Sequence, residues 1–330
     1  MKLSKVALGL AWMVSSAAVA DEYTNMVVFG DSLSDNGNLY ALDISGALGP
    51  ARQTYGPRFS NGPLLAEYVS QSLQLGNIVP IALQQANSNN FAVAGAVALA
   101  TDEASARNVL STQLDTYLSF QSSHLSDSTL FFITIGGNDV RAARSFLSDQ
   151  ILNRSVERPR KVAFKQVREA AKETITQIER LAERGAGNIV IVNTPNIGSI
   201  PENDYIRQSM LFQADTFKEQ LQSGFFNLTA SNLSTTYNYA LTRGVRSLRN
   251  EYPELELTLF DFAGVSQEAI QNPGKYGFTN VINQCNFALT PLGTITPTDW
   301  YCEGYLFFDQ IHPTTAGHKV AADALIEQLK

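Results

Sequence analysis

Histidine is scarce in this chain, and one of its three histidines stands in a setting that suits a catalytic base. His312 lies in the segment Phe308-Asp309-Gln310-Ile311-His312-Pro313. An aspartate three residues earlier can hydrogen-bond one ring nitrogen and leave the other free to accept a proton. The same pattern also fits a histidine that precedes a final helix, with Asp309 as an ordinary turn residue. His124 carries no comparable pattern, and we expect His318 to be a surface residue of that helix.

Ser32 is the candidate nucleophile for such a base, because a hydrolase without a cofactor needs an activated nucleophile and donors for an oxyanion. It lies in Gly30-Asp31-Ser32-Leu33, directly after an apolar run. A serine at a strand-to-helix turn exposes its hydroxyl at the sheet edge and can point its own N–H at an oxyanion. The alternative is a helix N-cap, where serine is favoured. The Gly-x-Ser-x-Gly elbow of α/β-hydrolases does not occur in the chain.

The pattern of potential ligands gives no reason to expect a metal or another cofactor. The three histidines have no recognisable ligand spacing, and no His-Glu-x-x-His pattern occurs. We therefore expect catalysis by side chains alone.

These candidates must be positioned by secondary structure, and the apolar pattern predicts an α/β fold. Four apolar runs predict buried strands, at Met26–Phe29, Leu130–Ile135, Asn188–Val192 and Leu255–Phe260. Amphipathic or helix-favouring segments separate or follow them, at Val162–Arg184, Gln213–Ala240 and from Pro313 to Leu329. Continuous apolar strands separated by helices predict a mainly parallel sheet covered on both faces, a three-layer α/β/α sandwich. Ser32, Asn138 and Asn193 each follow a predicted strand, where such a sheet places its ligand site.

The first twenty residues differ in kind from the rest of the chain. Lys2 and Lys5 precede the apolar run Val6–Val14, and Ala18-Val19-Ala20 supplies a small-x-small cleavage site. This is the layout of a secretory signal peptide, and its apolar run is too short to span a bilayer. An N-terminal membrane anchor is the alternative. We expect cleavage after Ala20, a single domain over residues 21–330, and a secreted or periplasmic protein.

Charge and cysteine content fit an exported, soluble protein. The chain of 330 residues has a net charge of −7, which becomes −9 when residues 1–20 and their two lysines are removed. So acidic a chain should be repelled by nucleic acid and by anionic membranes. Cys285 and Cys302 stand 17 positions apart, and in an exported chain a disulfide is favoured over a metal site or two free thiols.

Four separated blocks resemble the GDSL lipase/esterase family, also called SGNH hydrolases. Gly30-Asp31-Ser32-Leu33 resembles the first block, and Asn90–Ala96 is similar to the second, although Ala94-Gly95 stands where paired glycines are common. Gly136-Gly137-Asn138-Asp139 resembles the third, and Asp309 with His312 the fourth. Arg58–Gly62 with Glu67-Tyr68 is similar to the bacterial lipolytic branch, which includes autotransporter esterase passenger domains, secreted phospholipases and lipid acyltransferases.

The resemblance implies an SGNH-type, flavodoxin-like fold and a serine ester hydrolase of the esterase or lipase kind. It assigns Ser32, His312 and Asp309 to a catalytic triad, and the Ser32 N–H, the Gly95 N–H and the Asn138 side chain to the oxyanion hole. Asp35 competes with Asp309 as the acidic partner, whereas we expect Asp139 to be a structural turn residue.

The substrate is the least constrained part of this prediction. A small-molecule or lipid ester is implied, with transient contact with lipid interfaces compatible with it, and the oligomeric state stays open. Aromatic residues near the blocks are candidates for an acyl pocket, namely Tyr55, Phe59, Phe278, Trp300 and Tyr305, and Ser266–Glu303 is a candidate wall or cover. The rival functions are a carbohydrate O-acetyl esterase, a lipid acyltransferase and a non-catalytic secreted binding protein.

Overall fold

A four-stranded parallel sheet forms the centre of the molecule. The structure, a computed structural model, describes residues 23–42, 56–103, 105–121, 124–153, 156–285 and 302–330. The strands are β1 Asn25–Gly30, β2 Thr129–Thr134, β3 Asn188–Val192, β4 Glu256–Phe260, β5 Asn280–Gln284 and β6 Tyr305–Phe307. The helices are α1 Asn38–Leu42, α2 Leu65–Ser72, α3 Leu110–Ser119, α4 Gly137–Asn153, α5 Pro159–Glu183, α6 Pro201–Gln213, α7 Phe217–Gly224, α8 Phe226–Glu251, α9 Phe262–Gln271 and α10 Thr315–Gln328.

The central sheet has the order β1-β2-β3-β4, and every neighbouring pair is parallel. Val28 pairs with Phe132, Phe132 with Val190 and Val190 with Thr258, so one row of paired residues crosses all four strands. Each strand returns through helices to the start of the next, as a parallel sheet requires. All four carboxyl ends therefore meet at one edge of the sheet.

Alternating side chains bury both faces of this sheet. On β1, Val27 and Phe29 join the core formed with α3, α4, α5 and α8, whereas Met26 and Val28 join the core formed with α2, α9 and α10. The apolar strands are thus covered on both sides by helices, which confirms the three-layer α/β/α prediction.

The predicted strands are confirmed to within one residue at each end, but the helices differ more. The segment from 213 to 240 is two helices, α7 and α8, and α8 continues to Glu251. The last helix begins at Thr315 rather than Pro313, because the Thr314 hydroxyl accepts the Gly317 N–H and caps it. The sequence pattern did not identify six of the described helices, α1, α2, α3, α4, α6 and α9.

A second, two-stranded sheet carries the predicted disulfide. Cys285 follows β5, Cys302 precedes β6, and the two form a disulfide, which confirms that prediction. The Cys285 N–H also donates to the Phe307 carbonyl at 2.8 Å. The disulfide therefore holds β5 against the strand that leads into the segment carrying His312.

The predicted signal peptide, residues 1–20, lies outside the described residues. Of the helices in the described ranges, none combines the length and the apolar character that a bilayer span needs.

Candidate active site

Ser32, His312 and Asp309 form one hydrogen-bonded chain at the carboxyl edge of the sheet. His312 Nε2 lies 2.7 Å from the Ser32 hydroxyl, and His312 Nδ1 lies 2.6 Å from Asp309 Oδ2. All three residues are buried. This geometry suits a hydroxyl nucleophile, a base and a carboxylate that orients the base.

The end of β1 fixes the position of Ser32. Gly30 has φ +140°, and a Cβ there would stand 2.0 Å from the Thr134 carbonyl oxygen, so this close approach of β1 to β2 requires glycine. The Asp31 N–H then donates to the same carbonyl at 3.0 Å, and the Ser34 hydroxyl lies 2.6 Å from the Thr134 hydroxyl. Ser32 is thereby held between two residues that are tied to β2.

Asp309 organises the segment that carries His312. Its Oδ1 accepts the N–H groups of Ile311 and His312 at 2.8 and 2.7 Å, while Oδ2 faces the imidazole. Burial opposes ionisation of Asp309, but His312 and these two N–H donors hold its pKa below the usual value. The carboxylate therefore stays charged and fixes the imidazole by its Nδ1 side.

A second segment, residues 58–68, straps this loop to α10. The Phe59 ring lies 5.2 Å from the His312 ring, and the Ser60 hydroxyl donates to the Pro313 carbonyl. The Asn61 side chain accepts the Thr315 N–H at 2.8 Å. The segment that resembles the bacterial lipolytic branch thus contacts residues 309–313, which we call the histidine loop.

An ion pair holds the strap in place. Arg58 makes two hydrogen bonds to Glu67, and Glu67 also accepts the Leu64 N–H at the start of α2. Burial opposes the charge of Arg58, but its hydrogen bond to Glu67 is the larger effect and raises its pKa. The ion pair therefore joins the two ends of the strap, on either side of the residues that contact the histidine loop.

Gly95, a candidate oxyanion donor, lies on a segment next to the strand that leads to Ser32. The chain from Phe91 to Val93 runs beside β1, with the Val93 N–H donating to the Gly30 carbonyl, so Gly95 and Ser32 each follow two residues beyond that bond. Within the described residues, neither the Ser32 nor the Gly95 N–H has a hydrogen-bond acceptor. Neither N–H group is therefore engaged by another described part of the chain.

Gly95 occupies a turn that glycine suits. The Ala96 N–H donates to the Val93 carbonyl across this turn, and Gly95 has φ +83°. The Ala94 N–H donates to Asp35 Oδ2 at 2.8 Å, which anchors the turn beside the Ser32 segment. Gly95 does not line the cavity described below, and its place in the site stays a prediction.

The Asn138 amide is held in a defined orientation. Its oxygen accepts a hydrogen bond from Arg141 Nη1 at 3.0 Å, and its nitrogen donates to the Ala96 carbonyl at 2.9 Å. The second hydrogen of the Asn138 amide nitrogen thus has no acceptor among the described residues. Arg141 in turn makes two hydrogen bonds to Glu202.

Sequence reasoning missed this Arg141–Glu202 contact, which Arg144 joins through a 2.8 Å ion pair with Glu202. Burial opposes ionisation of Glu202, but the two arginines hold its pKa below the usual value. Arg141 and Arg144 lie three positions apart, and Glu202 lies 61 positions beyond Arg141. Helical spacing could have paired the arginines, but nothing local pointed to Glu202.

Three other predicted residues have structural tasks. Asp35 accepts four N–H groups, from Gly37, Asn38, Leu39 and Ala94, and does not contact His312. Asp139 accepts the N–H groups of Ala98 and Leu99 from the first turn of α4. Asn193 donates to Asp261 and accepts the Ala263 N–H, which joins β3 to α9.

The prediction that His318 is a surface residue is wrong. His318 is buried, and its Nδ1 accepts the Leu65 N–H at 3.3 Å. Burial, together with the nearby His312, lowers its pKa to about 3. The error arose because α10 packs against α2 on the face that carries His318, and sequence spacing does not show which helix is the partner. His124 is exposed, and its ring lies against Gly185.

A largely apolar cavity opens beside Ser32 and His312. It encloses about 880 Å³, including the part open to solvent. Besides Ser32, His312, Asn138 and Arg141, the lining includes Leu33, Pro195, Asn196, Ile197, Ser199, Ile200, Phe262, Val265, Ser266, Gln267, Ala269, Ile270, Leu306, Phe307, Ile311, Val320 and Ala321. Ser32 thus borders a space that suits an apolar group of a ligand.

Three of the aromatic residues proposed for an acyl pocket lie in the described part of the chain, and none of the three lines this cavity. Phe59 contacts His312, Phe278 lies in the core, and Tyr305 packs beside the disulfide. Tyr55 and Trp300 lie outside the described residues. The beginning of the candidate wall is confirmed as part of the lining, since Ser266, Gln267, Ala269 and Ile270 belong to α9.

Comparison with known proteins gives one family match and several full-length similarities. The model of the family described as GDSL-like Lipase/Acylhydrolase matches residues 26–325. The chain is 27% identical to "Acetylajmalan esterase 2" of Rauvolfia serpentina, over 96% of this chain and 92% of that protein. It is 25% identical to "Phosphatidylcholine-sterol acyltransferase" of Aeromonas hydrophila, over 96% and 93%. It is also 24% identical to "Lipase 1" of Photorhabdus luminescens, over 97% of this chain but 52% of that protein.

Proposed function

The chain belongs to the GDSL-like lipase/acylhydrolase family, and from this we propose that it is an exported serine ester hydrolase that uses a Ser32–His312–Asp309 triad. The observation that carries the proposal is the continuous hydrogen-bonded chain of Ser32, His312 and Asp309 at the mouth of an apolar cavity.

In the first half-reaction, His312 Nε2 takes the proton of the Ser32 hydroxyl as its oxygen attacks the ester carbonyl carbon. The carbonyl π-electrons move to the oxygen, and the imidazolium is stabilised by Asp309 Oδ2 at Nδ1. The carbon–oxygen bond to the alcohol then breaks, and His312 gives its proton to the departing alcohol. The acyl group is left on Ser32.

In the second half-reaction, a water molecule is deprotonated by His312 and attacks the acyl-enzyme. Collapse releases the carboxylic acid, and the proton returns to Ser32. If another alcohol takes the place of water, the product is a new ester, so lipid acyl transfer is the alternative outcome of the same intermediate.

The negative oxygen of each tetrahedral intermediate is received by the Ser32 N–H, the Gly95 N–H and the Asn138 amide. The first two N–H groups have no acceptor among the described residues, and Arg141 holds the Asn138 amide by its oxygen. Removal of one such donor typically lowers kcat by about 10²–10³-fold.

The lining of the cavity favours an ester with an apolar acyl chain as the substrate over an acetyl group on a polysaccharide. Its walls are mainly aliphatic side chains of α9, α10 and the segment after β3. An acetyl group would leave most of this apolar surface without contact. We therefore place the carbohydrate O-acetyl esterase second.

The test is hydrolysis of p-nitrophenyl esters from C2 to C16 by the chain without residues 1–20. We expect activity that rises beyond C2, and a loss of about 10³-fold or more in kcat for Ser32→Ala and His312→Ala. Asp309→Asn should lose about 10³–10⁴-fold, because a neutral amide no longer stabilises the charged imidazole.

Asp323→Asn is the matched control for the aspartate variant, since Asp323 is an exposed residue of α10 paired with Lys319. It should retain wild-type activity. Labelling by a fluorophosphonate probe should modify the wild type and not Ser32→Ala. Variants of Ser32 and His312 that hydrolyse esters like the wild type would refute the triad.

A further inference from the structure

Helix α7 places its polar and apolar residues on the opposite sides from those expected of a surface helix. Glu219 and Ser223, one turn apart, are buried, whereas Phe217 and Leu221, also one turn apart, face solvent. Glu219 is used locally, because its side chain accepts the N–H groups of Asp215 and Thr216. A surface helix normally turns its apolar stripe inward, so the exposed stripe of α7 lacks a partner within the described part of the chain.

The exposed apolar residues continue from α7 onto both neighbouring helices. Phe212 at the end of α6 is 93% exposed, and Phe217 is 79% exposed. We call the following set the apolar patch: Phe212, Phe217, Leu221, Phe225 and Leu228. Single exposed apolar residues are ordinary, but five within 17 positions indicate an interaction surface.

The apolar patch lies at the end of the sheet where residues after β3, among them Ile197 and Ser199, line the cavity. Asn238 of α8 bonds to Thr194, just past the carboxyl end of β3, and Gly198 packs against α8 at Asn227 and Ser231. Because α8 runs antiparallel to the strands and rises 1.5 Å per residue, Leu228 projects about 15 Å beyond the level of Thr194. The patch thus extends beyond the sheet edge that carries Ser32.

This projecting region is built on a packed foundation. Met210 of α6, Phe226 of α8 and Ile151 of α4 form a small buried core beneath it. Asn227 joins α6 to α8 by hydrogen bonds with Asn203 and Asp204. The two helices on either side of α7 are therefore anchored to each other and to α4.

The electrostatics of the patch differ from those of the whole chain. From residue 208 to residue 228, the exposed charged side chains are Asp215 and Lys218, which cancel. The chain as a whole has a net charge of −7. An uncharged, phenylalanine-rich surface on an acidic protein matches a zwitterionic lipid interface and not an anionic one.

We propose that the apolar patch docks the enzyme on the surface of a zwitterionic lipid assembly, so that the cavity receives acyl esters from that surface. The proposal rests on the proposed ester hydrolase function for its purpose, while the docking itself rests on the patch. Phe212, Phe217 and Phe225 insert their rings at the boundary of headgroups and acyl chains, and the neutral surround avoids repulsion.

The test is co-sedimentation with large unilamellar vesicles of phosphatidylcholine. The wild type should bind, and the triple variant Phe212→Ser, Phe217→Ser, Leu221→Ser should bind about tenfold more weakly or worse. All three side chains are exposed, so the variant should keep its fold and its rate on dissolved p-nitrophenyl butyrate. Phe120→Ser is the matched control, because Phe120 is 70% exposed and follows α3 at the opposite end of the sheet.

Equal vesicle binding by the wild type and the triple variant would overturn the proposal, as would a wild type that does not bind vesicles. A wild-type dimer that the triple variant converts to a monomer, without a change in vesicle binding, would overturn it in favour of an interface between copies. Vesicle binding through the patch by a wild type that hydrolyses no dissolved ester would support the docking surface and contradict the proposed function.

Discussion

The carboxyl group of Asp31 lies next to Ser32 in sequence and is buried at the edge of the cavity. Its Oδ1 accepts the Leu33 N–H at 3.0 Å. Burial raises the pKa of Asp31 to about 7, and the nearby Asp139 adds to the rise while His312 and Arg141 oppose it. A carboxyl group that is neutral when folded costs stability once the unfolded chain can ionise it.

The variant Asp31→Asn tests this cost. Because the folded pKa of Asp31 is raised from 3.8 to about 7, the wild type loses stability as pH rises from about 4 to 7, by up to ~4 kcal/mol from this group. An amide keeps the hydrogen bond to Leu33 and does not ionise. The difference in free energy of unfolding, Asp31→Asn minus wild type, should therefore become more positive between pH 4 and pH 7.5.

Urea unfolding at those two pH values measures the difference. The control is Asp323→Asn, on the exposed side of α10, whose difference from wild type should be the same at both. A difference between Asp31→Asn and wild type that does not change with pH would contradict the prediction.

At the scale of elements, the strap of residues 58–68 links α2 to α10 and to the histidine loop. Gly62 lies against Thr315, where a Cβ would stand 2.9 Å from both the Cβ and the hydroxyl of that residue. Thr315 cannot move freely, because its hydroxyl donates to the Pro63 carbonyl and lies 2.8 Å from the Tyr68 hydroxyl. The contact between α2 and α10 thus requires glycine at position 62, because any side chain there would collide with Thr315.

We expect Gly62→Ala to lower the free energy of unfolding by about 1–3 kcal/mol, the usual cost of forcing a methyl group into a packed contact. Gly274→Ala is the control, because a Cβ at Gly274 meets nothing within 4 Å. Thermal unfolding of the two variants provides the comparison. Equal melting temperatures for the two variants would contradict the prediction, because they would show that the strap accommodates the added methyl group without loss of stability.

At the scale of the whole molecule, the proposed export depends on residues 1–20, ahead of the domain matched from residue 26. A secretory leader should be removed after Ala20, so that the mature chain begins at Asp21. The disulfide of Cys285 and Cys302 fits an oxidising compartment.

Expression of the full chain in a bacterial host, followed by fractionation and N-terminal sequencing, tests this expectation. Mature protein beginning at Asp21 should appear outside the cytoplasm, whereas a chain that starts at Asp21 without the leader should stay inside. Cytoplasmic retention of the uncleaved full chain would contradict the proposed export.

Local pattern by itself predicted the parallel sheet and the disulfide, and it pointed to Ser32 and His312 as candidate reacting residues. Apolar runs such as Met26–Phe29 predicted buried parallel strands, because strands covered on both faces need apolar side chains on both sides. Ser32 and His312 could be proposed because each lies in a short motif. Gly30 stands two residues before Ser32, and Asp309 stands three residues before His312. Asp309 could also be proposed as the partner of His312, because both of its carboxylate oxygens accept hydrogen bonds from residues two or three positions further along the same loop.

Tertiary structure alone decided the contacts made between distant parts of the chain. The burial of His318, the use of Glu202 by Arg141, and the aliphatic cavity walls all depend on which helix packs against which. The apolar patch likewise became visible only when the buried face of α7 was known to hold Glu219 and Ser223. Sequence periodicity shows that a helix has two faces, but the free energy of packing against distant elements decides which face is buried.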